Sequence, residues 1–180
     1  MQDIISDTLC VNLSRHCEEQ SDVAIFNMMT DINKTLNNLR RQCSRREYCT
    51  SDVLKKAEKA LDGDKEKASE VVKILVQEKY VDDLRYCEAY AREKSSISGW
   101  GEVKIKYMLS AKGIAKDTIS QALTQIDPQR ASSRLEKLLE NKYRTLKDDP
   151  GWKLKLLRFA LGRGYSYDEV SDCINRMKDQ

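Results

Sequence analysis

The 180-residue sequence predicts an all-α protein, on three observations. It holds only seven glycines and two prolines, well under half of the roughly 12% an average soluble protein devotes to the pair. Many short strands need a turn every ten residues or so, and these turn residues are too few. Apolar residues recur at spacings of three and four, the repeat of one helix face. Acidic and Ser start signals alternate with Gly stop signals along the chain.

The elements follow in order. Residues 1–30 show no clear period beyond a short apolar patch, Val23-Ala24-Ile25-Phe26, and are expected to form a disordered extension or to precede the true start. From Asp31 the pattern is helical, with Ile32, Leu36, Leu39 and Cys43 on one face. A second helix over Ser51–Leu61 turns Val53, Leu54, Ala57 and Leu61 inward. Asp62-Gly63-Asp64 closes it: Gly63 suits a left-handed end position, and Asp64 can cap the next helix, which buries Ala68, Val71, Val72 and Leu75. Asp82 or Asp83 caps a fourth helix carrying Leu84, Cys87 and Ala91 beside Tyr86 and Tyr90.

Ser98-Gly99-Trp100-Gly101 breaks that helix. A fifth, Glu102–Lys112, ends at Gly113, and a sixth carries Ile119, Ala122, Leu123 and Ile126. Asp127-Pro128 is a start signal, since Asp caps and Pro fits the first helical position; Asp149-Pro150 reads the same way. The seventh helix carries Ala131, Leu135, Leu138 and Leu139, and the eighth Trp152, Leu156, Leu157 and Phe159. Ser166-x-x-Glu169 is a capping box opening a ninth with Tyr167, Val170, Ile174 and Met177.

Nine helices fall into three groups of three: residues 31–79, 80–127 and 128–180. Tyr48–Val53, Ser98–Val103 and Tyr165–Val170 align locally, each entering a helix with an acidic first turn and a valine expected to be buried. Units of this size are near the lower limit for folding alone, so stacking on a neighbour would bury what each leaves exposed. The expected architecture is an elongated, curved array of three tandem three-helix repeats.

Charge and cysteine bound the function. Thirty-two basic residues against 29 acidic ones give +3. Residues 1–38 hold two basic and six acidic side chains, so the remainder is mildly basic. An anionic partner is allowed without being demanded. The longest stretch free of Asp, Glu, Lys and Arg is nine residues, Thr118–Ile126, where a membrane helix needs about 20 apolar residues. The start lacks the basic and apolar pattern of an export signal. Six scattered cysteines (10, 17, 43, 49, 87, 173) include no C-x-x-C pair, and Cys10, His16 and Cys17 have no second ligand pair to complete a metal site. Reduced thiols in a cytoplasmic protein are expected.

Catalytic signatures are missing as well. The single histidine, His16, lies in the extension, and neither a phosphate-binding G-x-x-x-x-G-K-[ST] loop nor a G-x-S-x-G elbow occurs. Asp82-Asp83 and Asp148-Asp149 sit at helix starts, where capping explains them. No enzyme activity, cofactor or metal is expected.

Four stretches carry a family resemblance. Trp100-Gly101-x-x-Lys104-Ile105-x-x-x-Leu109-x-x-Lys112-Gly113-Ile114 resembles the signature of the RecX family, bacterial regulators of the RecA recombinase. Tyr80-Val81-Asp82-Asp83-x-Arg85-Tyr86-x-x-x-Tyr90 is similar to the segment before it, and Lys155-x-x-Arg158-Phe159-x-x-x-Arg163-Gly164-Tyr165 to the third-repeat motif. Arg45-Arg46-Glu47-Tyr48 through Val53 resembles the first repeat more loosely. The resemblance covers about residues 35–178. Lys79 departs from it, standing where the family usually carries glycine; if that position needs positive φ, lysine costs roughly 1 kcal/mol.

The resemblance implies a monomeric protein that binds RecA filaments on single-stranded DNA and restrains their activity. It would lie in the filament groove and block extension or strand access, with weak direct DNA binding as a further expectation. Gly99, Trp100, Gly101, Ile105 and Leu109 are accounted for by the break and the core. The candidate contacts are therefore basic: Arg45 and Arg46, beside Arg40-Arg41; Lys104, Lys106 and Lys112; and Lys155, Arg158 and Arg163, beside Lys153. A solvated charged face and the helix dipole compete for these same residues. Two other readings stay open: a stand-alone helical DNA-binding module, and a generic helical scaffold for another protein.

Overall fold

The structure, a computed structural model, describes residues 29–177. The extension, with Cys10, His16, Cys17 and the patch at Val23–Phe26, lies outside the described residues. Every regular element among the described residues is a helix. The order is α1 (29–43), α2 (Thr50–Ala60), α3 (Lys65–Gln77), α4 (Asp83–Ser96), α5 (Glu102–Ser110), α6 (Lys116–Leu123), α7 (Pro128–Arg144), α8 (Trp152–Leu161) and α9 (Tyr167–Arg176). They fall into two compact units. Among the described residues, one holds 29–46 together with Val53–Tyr80; the other holds Glu47–Asp52 and 81–177.

In the first unit the 4, 3, 4 spacing of α1 buries Leu36, Leu39 and Cys43. α2 contributes Val53 and Ala57, Leu61 follows it, and α3 buries Ala68, Val71, Val72 and Leu75. Asp64 caps α3 by accepting from the Lys67 amide at 3.0 Å. The far end of α3 explains the departure at Lys79. The Tyr80 amide donates to the Leu75 carbonyl at 2.9 Å, and the Lys79 amide to that of Val76 at 3.1 Å. This double reach-back closes a helix through a left-handed residue, and Lys79 has φ +63°. Its side chain therefore bears the Cβ crowding that glycine avoids.

The second unit contains two three-helix sets. α4 packs on α5 and α6, which also pack on each other. Their core is Cys87, Ala91, Ile105, Leu109, Ile114, Ile119, Ala122 and Leu123, joined by Cys49 from the segment before α2. α7, α8 and α9 pack pairwise around Leu135, Leu139, Leu156, Ala160, Tyr165, Val170, Cys173 and Ile174. Burying side chains such as Ile105 and Leu139 contributes about 1.5–3 kcal/mol each. The caps match the sequence signals: Asp82 accepts from Leu84 and Arg85, Asp127 from Gln129 and Arg130, and Ser166 with Glu169 forms the capping box. Asp83, the alternative cap, instead accepts from the Thr50 amide at 2.7 Å.

Three expectations are corrected. Val103 is not buried; it is 56% exposed. α5 starts at Glu102, so its fourth helical residue is Ile105, matching Val53 in α2 and Val170 in α9, all three at 0% exposure. The aligned segments were two residues out of register in the middle repeat. In the corrected register Tyr48, Trp100 and Tyr165 each precede the residue before the helix, the position of a hydrophobic staple. Tyr167, expected on the inner face of α9, is 60% exposed because it is that helix's first residue. Asp149-Pro150 does not open α8. Its side chain folds back onto the Gly151 amide at 2.8 Å, and the helix starts at Trp152.

Candidate partner-binding surface

The basic candidates on the second unit are organised by a junction between α5 and α8. The Gly101 amide donates to the Arg163 carbonyl at 2.9 Å, and the Val103 amide to the Gly164 carbonyl at 3.1 Å. Two of the orphan amides at the start of α5 are thus satisfied by the chain leaving α8. Such an approach demands glycine on both sides. A Cβ on Gly101 would collide with the Gly164 carbonyl, and one on Gly164, where φ is +86°, with the Lys104 backbone and Cβ. The tryptophan-glycine of one motif and the arginine-glycine of the other are therefore two halves of one contact.

Lys104 belongs to this junction. Its ammonium lies 4.5 Å from the centroid of the Trp100 ring, with the Gly162 carbonyl at 3.4 Å. A cation there complements the carbonyl end of α8. Lys94 approaches Trp100 as well, at 5.6 Å, while paired to Glu93 at 2.8 Å. Arg163 donates to the Ser98 carbonyl at 3.0 Å and stacks on Phe159, its guanidinium carbon 4.7 Å from the ring centroid.

The other candidates are spread out. Lys106 is exposed and pairs with Glu102 at 2.5 Å along α5. Lys112 is half-buried against Asp52 at 2.6 Å, with the Tyr86 ring 5.6 Å away. Burial alone would push the Lys112 ammonium down, yet the hydrogen bond it donates to Asp52 and nearby negative charge hold it above its ordinary value. Lys155 pairs with Asp149, and that contact holds the Asp149 carboxyl below its ordinary range. Arg158 is exposed and makes no ion pair among the described residues. In the first unit, Arg45 and Arg46 stand exposed after α1, while Arg40 is held by Glu78. Of the eight candidates, only Lys104 and Arg163 are brought together at the junction, and Lys106, Lys112 and Lys155 are engaged by carboxylates.

A denser cationic surface lies elsewhere. Arg130, Arg134, Lys137 and Asn141 are spaced 4, 3, 4 along α7 and so share one face of it. Arg134 and Lys137 line an open groove with Lys142 of α7, Arg163 after α8, and Ser95, Ser96 and Ser98 from the end of α4. None of Arg134, Lys137, Lys142 and Arg163 is ion-paired among the described residues, and the groove's lining contains no carboxylate. The spacing was visible in the sequence. It was obscured by Glu136 and Glu140, which interleave with the basic residues in sequence but lie off that face of α7.

The cysteines are packing groups. Cys43, Cys49, Cys87 and Cys173 are buried and form no disulfide among the described residues. Burial pushes Cys87 up to about 12, with the nearby negative charge of Asp83 adding to it. Among the described residues no cluster of three metal-ligating side chains occurs, and no helix is long and apolar enough to cross a membrane.

Comparison with known proteins places this geometry. The family models for the second and third three-helix domains of RecX match residues 82–123 and 132–174, the two sets that pack as α4–α6 and α7–α9. Curated proteins named "Regulatory protein RecX" are similar. That of Clostridium tetani is 31% identical over 59% of this chain and 50% of its own length. That of Clostridium perfringens is 33% identical over 68% and 58%. The chain spans about half the length of the curated relatives it matches. In fold it resembles the crystal structure of RecX from Lactobacillus salivarius, with TM-score 0.73 and 24% identity, covering 84% of this chain and 99% of that one. A second crystal structure of a regulatory protein RecX gives TM-score 0.74 over 88% and 78% of the two chains. With the second and third three-helix domains matched in family order, the chain belongs to the RecX family of regulatory proteins.

Proposed function

We propose that this chain binds the RecA filament on single-stranded DNA and restrains its recombinase and ATPase activity. The observation carrying the reading is the ordered match of two RecX three-helix domains, with the tryptophan-glycine and arginine-glycine motifs meeting at their junction. The part played by the chain is recognition, without catalysis, in the cytoplasm. Repeated three-helix units, each carrying cations, suit a partner that repeats its own surface. Several modest contacts to adjacent subunits reinforce one another through effective concentration, so no single strong site is required. A protein seated along the filament groove would occlude the next subunit or a second strand. Basic groups would steer the approach and set register more than supply affinity.

Among the candidate contacts, Arg45 and Arg158 have no carboxylate partner among the described residues, whereas Lys112 would have to break a half-buried pair. The partner-facing role is therefore assigned first to Arg45 and Arg158, and Lys104 and Lys112 are read chiefly as holding the fold. The test is ATP hydrolysis by a matching RecA on single-stranded DNA as this protein is titrated in. Hydrolysis should fall at stoichiometric amounts, and Arg158→Glu should blunt the effect. Unaltered hydrolysis at stoichiometric excess refutes the reading.

A further inference from the structure

We propose that the cleft between the start of α5, the first turns of α7 and one face of α9 holds a linear aliphatic polyamine. The cleft has a volume of about 290 Å³. Its base is aliphatic, with Leu123 and Leu135 buried and Ile126 and Ala131 half-buried. Its polar side is acidic: Glu102 from α5, and Glu169 and Asp172 from α9. Elsewhere in this unit carboxylates are answered by cations, as Asp52 is by Lys112 and Asp149 by Lys155. Here Arg176 is engaged outside the cleft's acids, by Glu136 at 2.9 Å. Glu169 accepts from the Ser166 amide at 2.8 Å and its hydroxyl at 2.7 Å, so its charge is hydrogen-bonded without being neutralised. Asp172 makes no ion pair among the described residues. The helix dipole accounts for Glu102 and Glu169, which stand in first turns; it fades beyond them and does not account for Asp172.

A second observation is independent of charge. Tyr165 is 6% exposed, and it borders both the cleft and a narrower recess of about 50 Å³ that continues from it toward Trp100. Its hydroxyl makes no hydrogen bond among the described residues, where a buried phenol normally finds a partner. That oxygen is not sealed in the core, so it opens on the space the ring borders. Burial, with the charge of Glu169 adding to it, pushes the phenol above its ordinary value, so it stays protonated at neutral pH and offers lone pairs to an N–H donor. Geometry then selects the cation. Divalent ions want about six oxygens around one point, and no group of three metal-ligating side chains occurs among the described residues. Glu169 and Asp172 instead lie about 4.5 Å apart along α9, beside an apolar base. Such a row suits a molecule that alternates ammonium groups with methylenes. The methylenes cover the aliphatic side chains, the ammoniums face the carboxylates, and one of them donates to the Tyr165 oxygen.

The test uses the full chain, radiolabelled spermidine and no recombinase, so its outcome is independent of the function proposed above. Equilibrium dialysis at low ionic strength should show one saturable site per chain. Asp172→Asn, at an exposed position, should weaken binding about threefold. Adding Glu169→Gln, which keeps the capping box, should bring the loss to about tenfold. Tyr165→Phe keeps the ring and removes the hydroxyl; it should weaken binding about threefold and leave the urea midpoint where it was. Asp148→Asn, an exposed carboxylate outside the cleft, should bind as the parent does. Binding undiminished by the Asp172 and double variants overturns the proposal, as does an equal loss in the Asp148 variant. So does a urea midpoint lowered by Tyr165→Phe, which would assign the hydroxyl to the fold. The absence of saturable binding overturns it too, as does magnesium ion or a lysine amide competing as well as unlabelled spermidine.

Discussion

Replacing Gly101 with alanine separates packing from backbone conformation at the junction on which the second unit turns. Gly101 has φ −78°, a conformation alanine adopts freely, so the substitution introduces no torsional strain. What it introduces is a methyl group where the Gly164 carbonyl already sits. To admit it, α5 and the end of α8 must separate and lengthen the hydrogen bonds from Gly101 to Arg163 and from Val103 to Gly164. Each is worth about 0.5–1.5 kcal/mol net, and more where a partner is left buried and unsatisfied, so the loss should be about 2–4 kcal/mol. For a chain of this size that lowers Tm by about 5–15 °C. Gly113 is the internal comparison. Its φ is +79°, but a Cβ there meets nothing within 4 Å, so alanine costs only the left-handed penalty of about 1 kcal/mol. Urea unfolding followed by circular dichroism measures both. If Gly101→Ala is no more destabilising than Gly113→Ala, the close approach does not hold the two helices together.

Two further outcomes follow from the same geometry. Lys79→Gly should stabilise the protein by about 0.5–1 kcal/mol, because relief of the left-handed residue at the end of α3 exceeds the extra chain entropy of glycine; a loss of stability in urea would contradict φ +63° there. The ionisation of Cys87 should affect stability only at alkaline pH. Its folded value of about 12 lies above the 9.0 of a free thiol, so its contribution is full below pH 9 and lost as pH rises toward 12. Cys87→Ser should flatten that part of the profile, and peptide-resolved alkylation at neutral pH should find Cys87 protected until the protein unfolds.

Helix identity was legible because local chemistry sets it. Asp64, Asp82, Asp127 and the Ser166–Glu169 box cap where their sequence says, because a cap depends on amides two or three residues away. Register in the middle repeat was not legible. Val103 and Ile105 are both β-branched and apolar, and the start of α5 is decided by Gly164, some sixty residues distant. The Asp149-Pro150 error has the same origin in reverse: aspartate caps whatever amide it reaches first, and here that is Gly151. Lys79 was legible as an anomaly, and its φ gives the anomaly a physical meaning. For the basic residues, sequence located the charge but not its partners. Lys112 reads as a solvated lysine until Asp52 is found beside it, and the α7 stripe is interleaved with Glu136 and Glu140 until the faces of the helix are separated.

Co-sedimentation of the full chain with RecA filaments, beside an equal amount of bare single-stranded DNA, tests the account at its centre. At moderate salt the protein should pellet with the filament at a fixed ratio to RecA subunits, far beyond what the DNA alone retains, and Arg45→Glu with Arg158→Glu should release it. Retention no greater on the filament than on bare DNA would contradict the account.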